Sequence, residues 1–295
     1  AYIADNLGLV GNSIQSAYHT TNKGAMRKVL SEKGANCPKY HIATPGYDTH
    51  CIEEHMSFPL IVKPADRSGS RGVRKVLNLS ELSVAIGEAF DESFCKEVVL
   101  EEYIEGSEVS VECISWQGQH FLLAITDKET SGPPHYVELA HHQPSNLPES
   151  TCRKIWQQTR ISLDALGVKC GASHSEFIIT DDGNVFVTEI GARMGGDFIG
   201  SRLVELSTGY DYTRGVIEVA LGVFNEPSFY ERYCSGVIFY AESKQNIIKY
   251  IKQPCLSASI VQTALFDEKV YPLRGSNDRS GYLIYQSRKR MEFDK

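Results

Sequence analysis

The sequence predicts an α+β protein, on three observations. A turn signature, Thr180-Asp181-Asp182-Gly183-Asn184, separates two β-rich runs at 177–179 and 185–190, and an Asp-Gly turn between such runs marks an antiparallel hairpin. A second apolar run, 58–64, carries Lys63 near its end. It passes through the small-residue loop Ser68-Gly69-Ser70-Arg71-Gly72 into a strand-like segment, 73–77. Helical patterning falls in separate stretches, near 23–33, 80–91, 149–166, 209–222 and, briefly, 245–251.

In chain order, residues 1–34 read as a linker and first helix. The chain opens without an initiator Met, and an amino-terminal domain is expected upstream. The helix spans about 23–33, with Gly34 as its C-cap and Pro38 beyond. Residues 35–100 form a small α+β unit: strands near 60–63 and 73–77, the helix at 80–91, and a strand at 97–103. Residues 101–222 supply an antiparallel sheet, two helices and the hairpin. Residues 223–295 form a β-rich subdomain, with strand-like segments at 236–241, 259–264 and 280–286 around a short helical piece at 245–251.

Composition excludes several classes. At 295 residues and 42% hydrophobic, the chain buries a large core in two or three lobes. A net charge of −7 lacks the basic footprint that nucleic acid demands. No apolar run reaches membrane-spanning length and no signal peptide is visible, so no membrane role is expected. The eight cysteines stand singly, which fits reduced thiols in the cytoplasm better than a zinc site or disulfide framework.

Three blocks carry chemistry. Glu176 precedes the hairpin turn by four residues and Glu189 follows it by five, so the hairpin brings two carboxylates together. At about 4 Å they repel by roughly 4 kcal/mol, which a shared proton, a basic partner or a divalent cation must offset. Arg193 and the pair Gly195-Gly196 follow directly. In the second block, backbone N–H groups of the 68–72 loop can turn toward an anion, with Lys63 adding charge. The third block, Glu101-Glu102-Tyr103-Ile104-Glu105-Gly106-Ser107-Glu108, breaks two strand-like runs and exposes backbone able to read the edge of a flat base. Taken singly, each block also reads as an ordinary solvated strand, glycine turn or acidic turn.

Their fixed order resembles the ATP-grasp superfamily over about residues 22–222, most closely the carboxylate–amine ligases of the carbamoyl-phosphate synthetase, biotin carboxylase and L-amino-acid ligase branch. The resemblance implies a nucleotide held between a small lid and a larger antiparallel sheet, with ATP and Mg2+ (two ions) as cofactors. It implies that Lys23 and Lys63 bind phosphates and that Ser68, Gly69, Ser70 and Gly72 form the lid loop. Glu101, Glu102, Tyr103 and Ile104 become the adenine hinge, and Glu108 the ribose acceptor. Glu176 and Glu189 become the metal ligands, and Arg193, with Lys63, acts on the transferred phosphate.

His142, His174, Gly195 and Gly196 are implied as substrate contacts, with Asp197 and Arg202 as further candidates that also read as helix-surface charges. One departure is Gly191, where many members of the superfamily have Asn. The implied reaction is ligation of a small carboxylate, such as an amino acid, to an amine through an acyl phosphate. The substrates are small molecules, and a homodimer is the implied assembly. Bicarbonate activation and a non-catalytic ATP-binding module are the alternatives.

Overall fold

The computed structural model describes residues 1–69, 71–133 and 135–293. Its strands form two sheets. The smaller has the order β1-β4-β2-β3, from β1 (Tyr40–Ala43), β2 (Leu60–Pro64), β3 (Arg74–Val76) and β4 (Val98–Glu102), all antiparallel. Three short helices precede it: α1 (Tyr2–Leu7), α2 (Ile14–His19) and α3 (Lys23–Glu32). The sequence pattern had shown only the third. Asn22 caps α3 by accepting from the Ala25 N–H, 2.8 Å away. Gly34, at φ +76°, ends it, and Ala35 N–H bonds back to Leu30 C=O.

Helix α4 (Leu79–Glu92) covers one face of the small sheet. Its buried Leu82, Ala85, Ile86 and Ala89 recur at helical spacing and pack on Leu60, Val62 and Leu100. Asn78 accepts from Glu81 N–H, and the Glu81 carboxylate accepts from Leu77 N–H, which fixes where the helix begins.

The larger sheet has eight strands: β5 (Ser107–Trp116), β6 (Gln119–Thr130), β7 (Glu138–Gln143), β8 (Gly171–Ile179), β9 (Val185–Gly191), β10 (Cys234–Tyr240), β11 (Ile260–Leu265) and β12 (Gly281–Ser287). Their spatial order is β11-β12-β10-β7-β6-β5-β8-β9. The strands after residue 223 therefore extend the same sheet, because β10 pairs directly with β7. Helices α5 to α7 pack on this sheet, with α5 (Glu149–Ala165) under β9, α6 (Val204–Thr208) against β10 and α7 (Tyr212–Leu221) against β5 and β8.

The edge strand β9 is not left open. Its Val187 N–H bonds to Asn36 C=O, and the Asn36 amide donates to Val185 C=O. The α3 segment thereby ties the small sheet's lobe to the hairpin. Beneath the hairpin, Phe177, Val187 and Ile190 join Met26, Leu30, Ile155 and Leu163 in one core. Among the described residues, no helix is long and apolar enough to cross a membrane.

Candidate active site

A cavity of about 600 Å³ opens between the two sheets. Its walls come from β2 and its following loop, from the hinge after β4, and from the faces of β6 to β9. A second cavity, about 460 Å³, lies on the other side of Lys23, Glu189 and Arg193, which line both.

The hairpin explains how the two carboxylates share a face. Glu176 and Glu189 are direct cross-strand partners, whereas Phe177 pairs with Val187. A bulge at this point gives β9 one extra residue, Thr188. Without it Thr188 would stand opposite Glu176, and Glu189 would turn toward the core, because side chains alternate along a strand. The unequal spacing of four and five residues around the turn is this bulge read in sequence. Gly183 at φ +78° and the Gly183 N–H to Thr180 C=O bond close the turn.

Basic partners offset the repulsion between them. Lys128 Nζ lies 2.7 Å from Glu176 Oε1, and Lys23 Nζ lies 3.1 Å from Glu189 Oε2. Lys128 also stands 3.8 Å from both Glu108 and Glu138. Burial disfavours its ammonium, but the three carboxylates outweigh that and hold its pKa above the usual lysine range. Burial alone would raise Glu176, yet Lys128 and His174 keep it well below the ordinary carboxylate range.

His174 bridges two acids. Its Nδ1 lies 2.5 Å from Glu112 Oε1 and its Nε2 3.3 Å from Glu176 Oε1. Burial works against the imidazolium, but Glu112 and Glu176 raise the ring to about 9. His174 thus lines the cavity while holding Glu176. Gly195 does not face the cavity as the sequence suggested. Its N–H donates to Glu112 Oε2 at 3.0 Å, and a Cβ there would meet Glu112 Oε1 at 2.5 Å and His174 Nδ1 at 2.7 Å. Only Gly196 of the pair lines the cavity.

The lid lysine is anchored from below. Lys63 Nζ lies 2.8 Å from Glu101 Oε2, and Arg27 Nε lies 2.6 Å from Glu101 Oε1. All three are buried. Two cations on one carboxylate leave about one positive charge beside the cavity. Burial pushes Lys63 down and would push Glu101 up, but Arg27 and Lys63 keep Glu101 ionised. Arg27 also donates to Thr188 C=O, which fixes the bulge. Lys23 and Arg27 sit one helical turn apart on the same face of α3, which is how one helix serves both clusters.

The hinge differs in detail from the sequence expectation. The Glu101 side chain is committed to its ion pairs. Glu102 N–H is spent on Lys39 C=O and Tyr103 N–H on Pro59 C=O. Ile104 N–H has no backbone partner among the described residues, so of the four it has a donor free for a base. Glu108 lines the cavity, and burial raises its pKa. In the lid loop, Ser68 and Gly69 line the cavity. Gly72, at φ +69°, packs on Pro64, where a Cβ would lie 2.8 Å from its ring. Ser70 lies outside the described residues.

His142 is turned away from the cavity. Its Nδ1 meets Tyr285 Oη at 2.8 Å and its Nε2 meets Glu129 at 3.1 Å. Its neighbour His141 faces the cavity instead, as the cross-strand partner of Lys128. Neither His141 ring nitrogen has a hydrogen-bond partner among the described residues, Asp197 stands 3.7 Å away, and burial pushes the ring's pKa below the usual histidine value. Asp197 itself is held by Arg279 through two bonds, 2.7 and 2.9 Å. The Arg193 Nη1 donates to Met194 C=O, leaving most of an exposed guanidinium facing both cavities.

Lys128, Arg27, Glu112, Glu138 and His141 were missed by sequence reasoning. Glu112 had a signal, since an acid inside the apolar run 109–114 must find a partner.

A divalent cation fits this donor set. Among the described residues, no group of three or more His, Cys, Asp or Glu side chains is arranged to hold a metal ion. Magnesium, however, binds through one or two carboxylates and completes its shell with phosphate oxygens and water, and Glu176 and Glu189 offer hard oxygen donors side by side.

Comparison with known proteins identifies the domain. The family profile described as "ATP-grasp domain" matches residues 56–201. This chain carries an ATP-grasp domain. An L-amino acid ligase from Bacillus licheniformis shares the fold, with a TM-score of 0.81 at 24% identity over 98% of this chain and 72% of that one. An alanine–anticapsin ligase of Bacillus subtilis is 27% identical over 222 residues, 66% of this chain and 46% of the ligase. An uncharacterized protein of Sinorhizobium fredii is 29% identical over 224 residues, 75% of this chain and 46% of that protein. The chain thus spans just under half the length of these two relatives.

Proposed function

We propose that the protein is an ATP- and Mg2+-dependent carboxylate–amine ligase acting through an acyl phosphate, with an amino acid or similar small carboxylate as substrate. The observation that carries this reading is the facing pair Glu176 and Glu189, each with its own lysine, beside an Arg193 that pairs with no carboxylate among the described residues. The kinship with an alanine–anticapsin ligase supports the substrate class.

In this reading the adenine lies along the hinge with Ile104 N–H as donor, and Glu108 accepts from the ribose. The phosphates run past Lys63 to Lys23, under the Ser68–Gly72 loop. A bound cation supplies charge neutralisation between the phosphates and the two glutamates. A substrate carboxylate oxygen attacks the terminal phosphorus, the bond to ADP breaks, and the acyl phosphate forms beside Arg193. Transfer between two anions builds negative charge, so Lys23, Lys63 and Arg193 do most of what the protein can do. The amine then attacks the acyl carbon, phosphate leaves, and the amine gives up a proton.

Glu138, neutral His141 and Gly196 form the wall a substrate amine meets. The second cavity, sharing Lys23 and Arg193, gives the other reactant its approach. Acyl phosphates hydrolyse, so the loop over Lys63 acts as the gate. Eight free thiols suit a reducing, cytoplasmic setting.

The test is Mg2+-dependent phosphate release from ATP with pooled amino acids, and with bicarbonate in a separate arm. Stimulation by amino acids is the expected result. Stimulation by bicarbonate alone would point to bicarbonate activation. ATP binding with no stimulation by either would favour a non-catalytic nucleotide-binding module.

A further inference from the structure

Lys128 is the residue that neither the hairpin motif nor the lid explains. Its side chain is 5% exposed, rises from β6 in the middle of the sheet, and stands 2.7 Å from Glu176 Oε1. Two further carboxylates, Glu108 and Glu138, each lie 3.8 Å from its ammonium. An ammonium with one close and two slightly longer acidic partners has somewhere to go when the close one is taken. A cation arriving at Glu176 repels it toward Glu108 and Glu138 across about an ångström, without exposing a buried charge.

We propose that Lys128 is the resident counter-ion of Glu176 and couples cation binding to nucleotide binding. This rests on the reading of Glu176 and Glu189 as the cation's carboxylates. With no nucleotide present, Lys128 and Lys23 already neutralise both acids, so a free divalent cation gains little by binding. Nucleotide phosphates change the balance. They bring the negative charge that a cation and the displaced ammonium can share. Glu112 and His174 keep Glu176 in place during this exchange, since His174 bonds both acids. The order of events is therefore built into the site: the cation enters with the phosphates rather than ahead of them.

The test uses Mn2+ as the probe, with free ion read from its electron paramagnetic resonance signal, on the full chain without nucleotide. Lys128→Met is expected to bind Mn2+ at least about tenfold more tightly than the wild type, since a positive charge next to the ligand oxygen is gone. Lys128→Arg, which keeps the charge, is expected to stay weak. Lys128→Gln reads the same effect as Lys128→Met if the methionine variant does not fold. Equal or weaker binding by the neutral variants would overturn the proposal and make Lys128 an organiser of Glu176 instead. Tight binding by Lys128→Arg would overturn it as well.

The underlying reading is tested separately. Adding Glu176→Gln to Lys128→Met must return binding to the wild-type level. If it does not, the ion sits elsewhere and both readings fall. Proton relaxation of water by Mn–ATP with the wild type must rise on protein addition. Its absence would count against the cation site itself, whatever Lys128 does.

Discussion

Two charge clusters face each other across the cavity, and they are built differently. In the lid, Glu101 is shared by Arg27 and Lys63, and all three side chains are at most 9% exposed. On the hairpin, Glu176 and Glu189 each keep 30% exposure while their lysines are buried. The lid cluster is closed, so its carboxylate is unavailable to a ligand and serves to hold a cation in position. The hairpin cluster is open, so its carboxylates can change partners. The same pairing of residue types is scaffold in one place and exchangeable chemistry in the other, and exposure decides which.

The comparison breaks most visibly through stability. Glu101→Gln leaves Arg27 and Lys63 buried without their acid, and a loss of about 3–5 kcal/mol is expected, measured by urea unfolding. A loss below about 1 kcal/mol would mean that the lid cluster is as open as the hairpin. Glu189→Gln should do the reverse, with unfolding nearly unchanged and ATP turnover down about 10²–10³-fold. A large drop in stability would make Glu189 part of the scaffold.

Gly195→Ala sharpens the boundary between the two kinds of region. Its methyl group meets Glu112 and His174, so strain of about 1–3 kcal/mol is expected, along with reduced turnover because Glu176 loses its support. Unfolding and turnover measured on the same preparation check whether the two effects travel together.

The smallest effect concerns Glu129, on β6 beside His142 and turned away from the cavity. The hydrogen bond from His142, with Lys244 alongside, lowers its pKa from 4.5 to about 2. A depressed carboxylate contributes stability that is present above about pH 4.5 and lost as pH falls through about 2. Glu129→Gln should flatten that acid limb of the stability profile and leave the KM for ATP unchanged. A changed KM would return His142 to the site.

What was legible in the sequence was local. The facing of Glu176 and Glu189 follows from one turn and one extra residue within 14 positions. Lys63 and its loop are likewise contiguous. What was illegible came from pairing over distance or from strand parity. Lys128 reaches Glu176 from 48 positions away, through a strand order that no local pattern specifies. His141 and His142 differ by one residue, and which of them faces the cavity depends on the register of β6 against β7, where a bulge intervenes at Glu129/Thr130. The strands after residue 223 looked like a separate subdomain because their partner, β7, lies some 90 residues earlier.

The most direct test of the account is oxygen transfer. The stimulating carboxylate substrate, enriched with 18O in its carboxyl group, is turned over with ATP, Mg2+ and the amine, and the released phosphate is examined by mass spectrometry. An acyl phosphate formed beside Arg193 hands one carboxyl oxygen to phosphate, so each phosphate released with product should carry a single 18O. Product formed with unlabelled phosphate would contradict the acyl-phosphate mechanism and the role assigned to the facing glutamates.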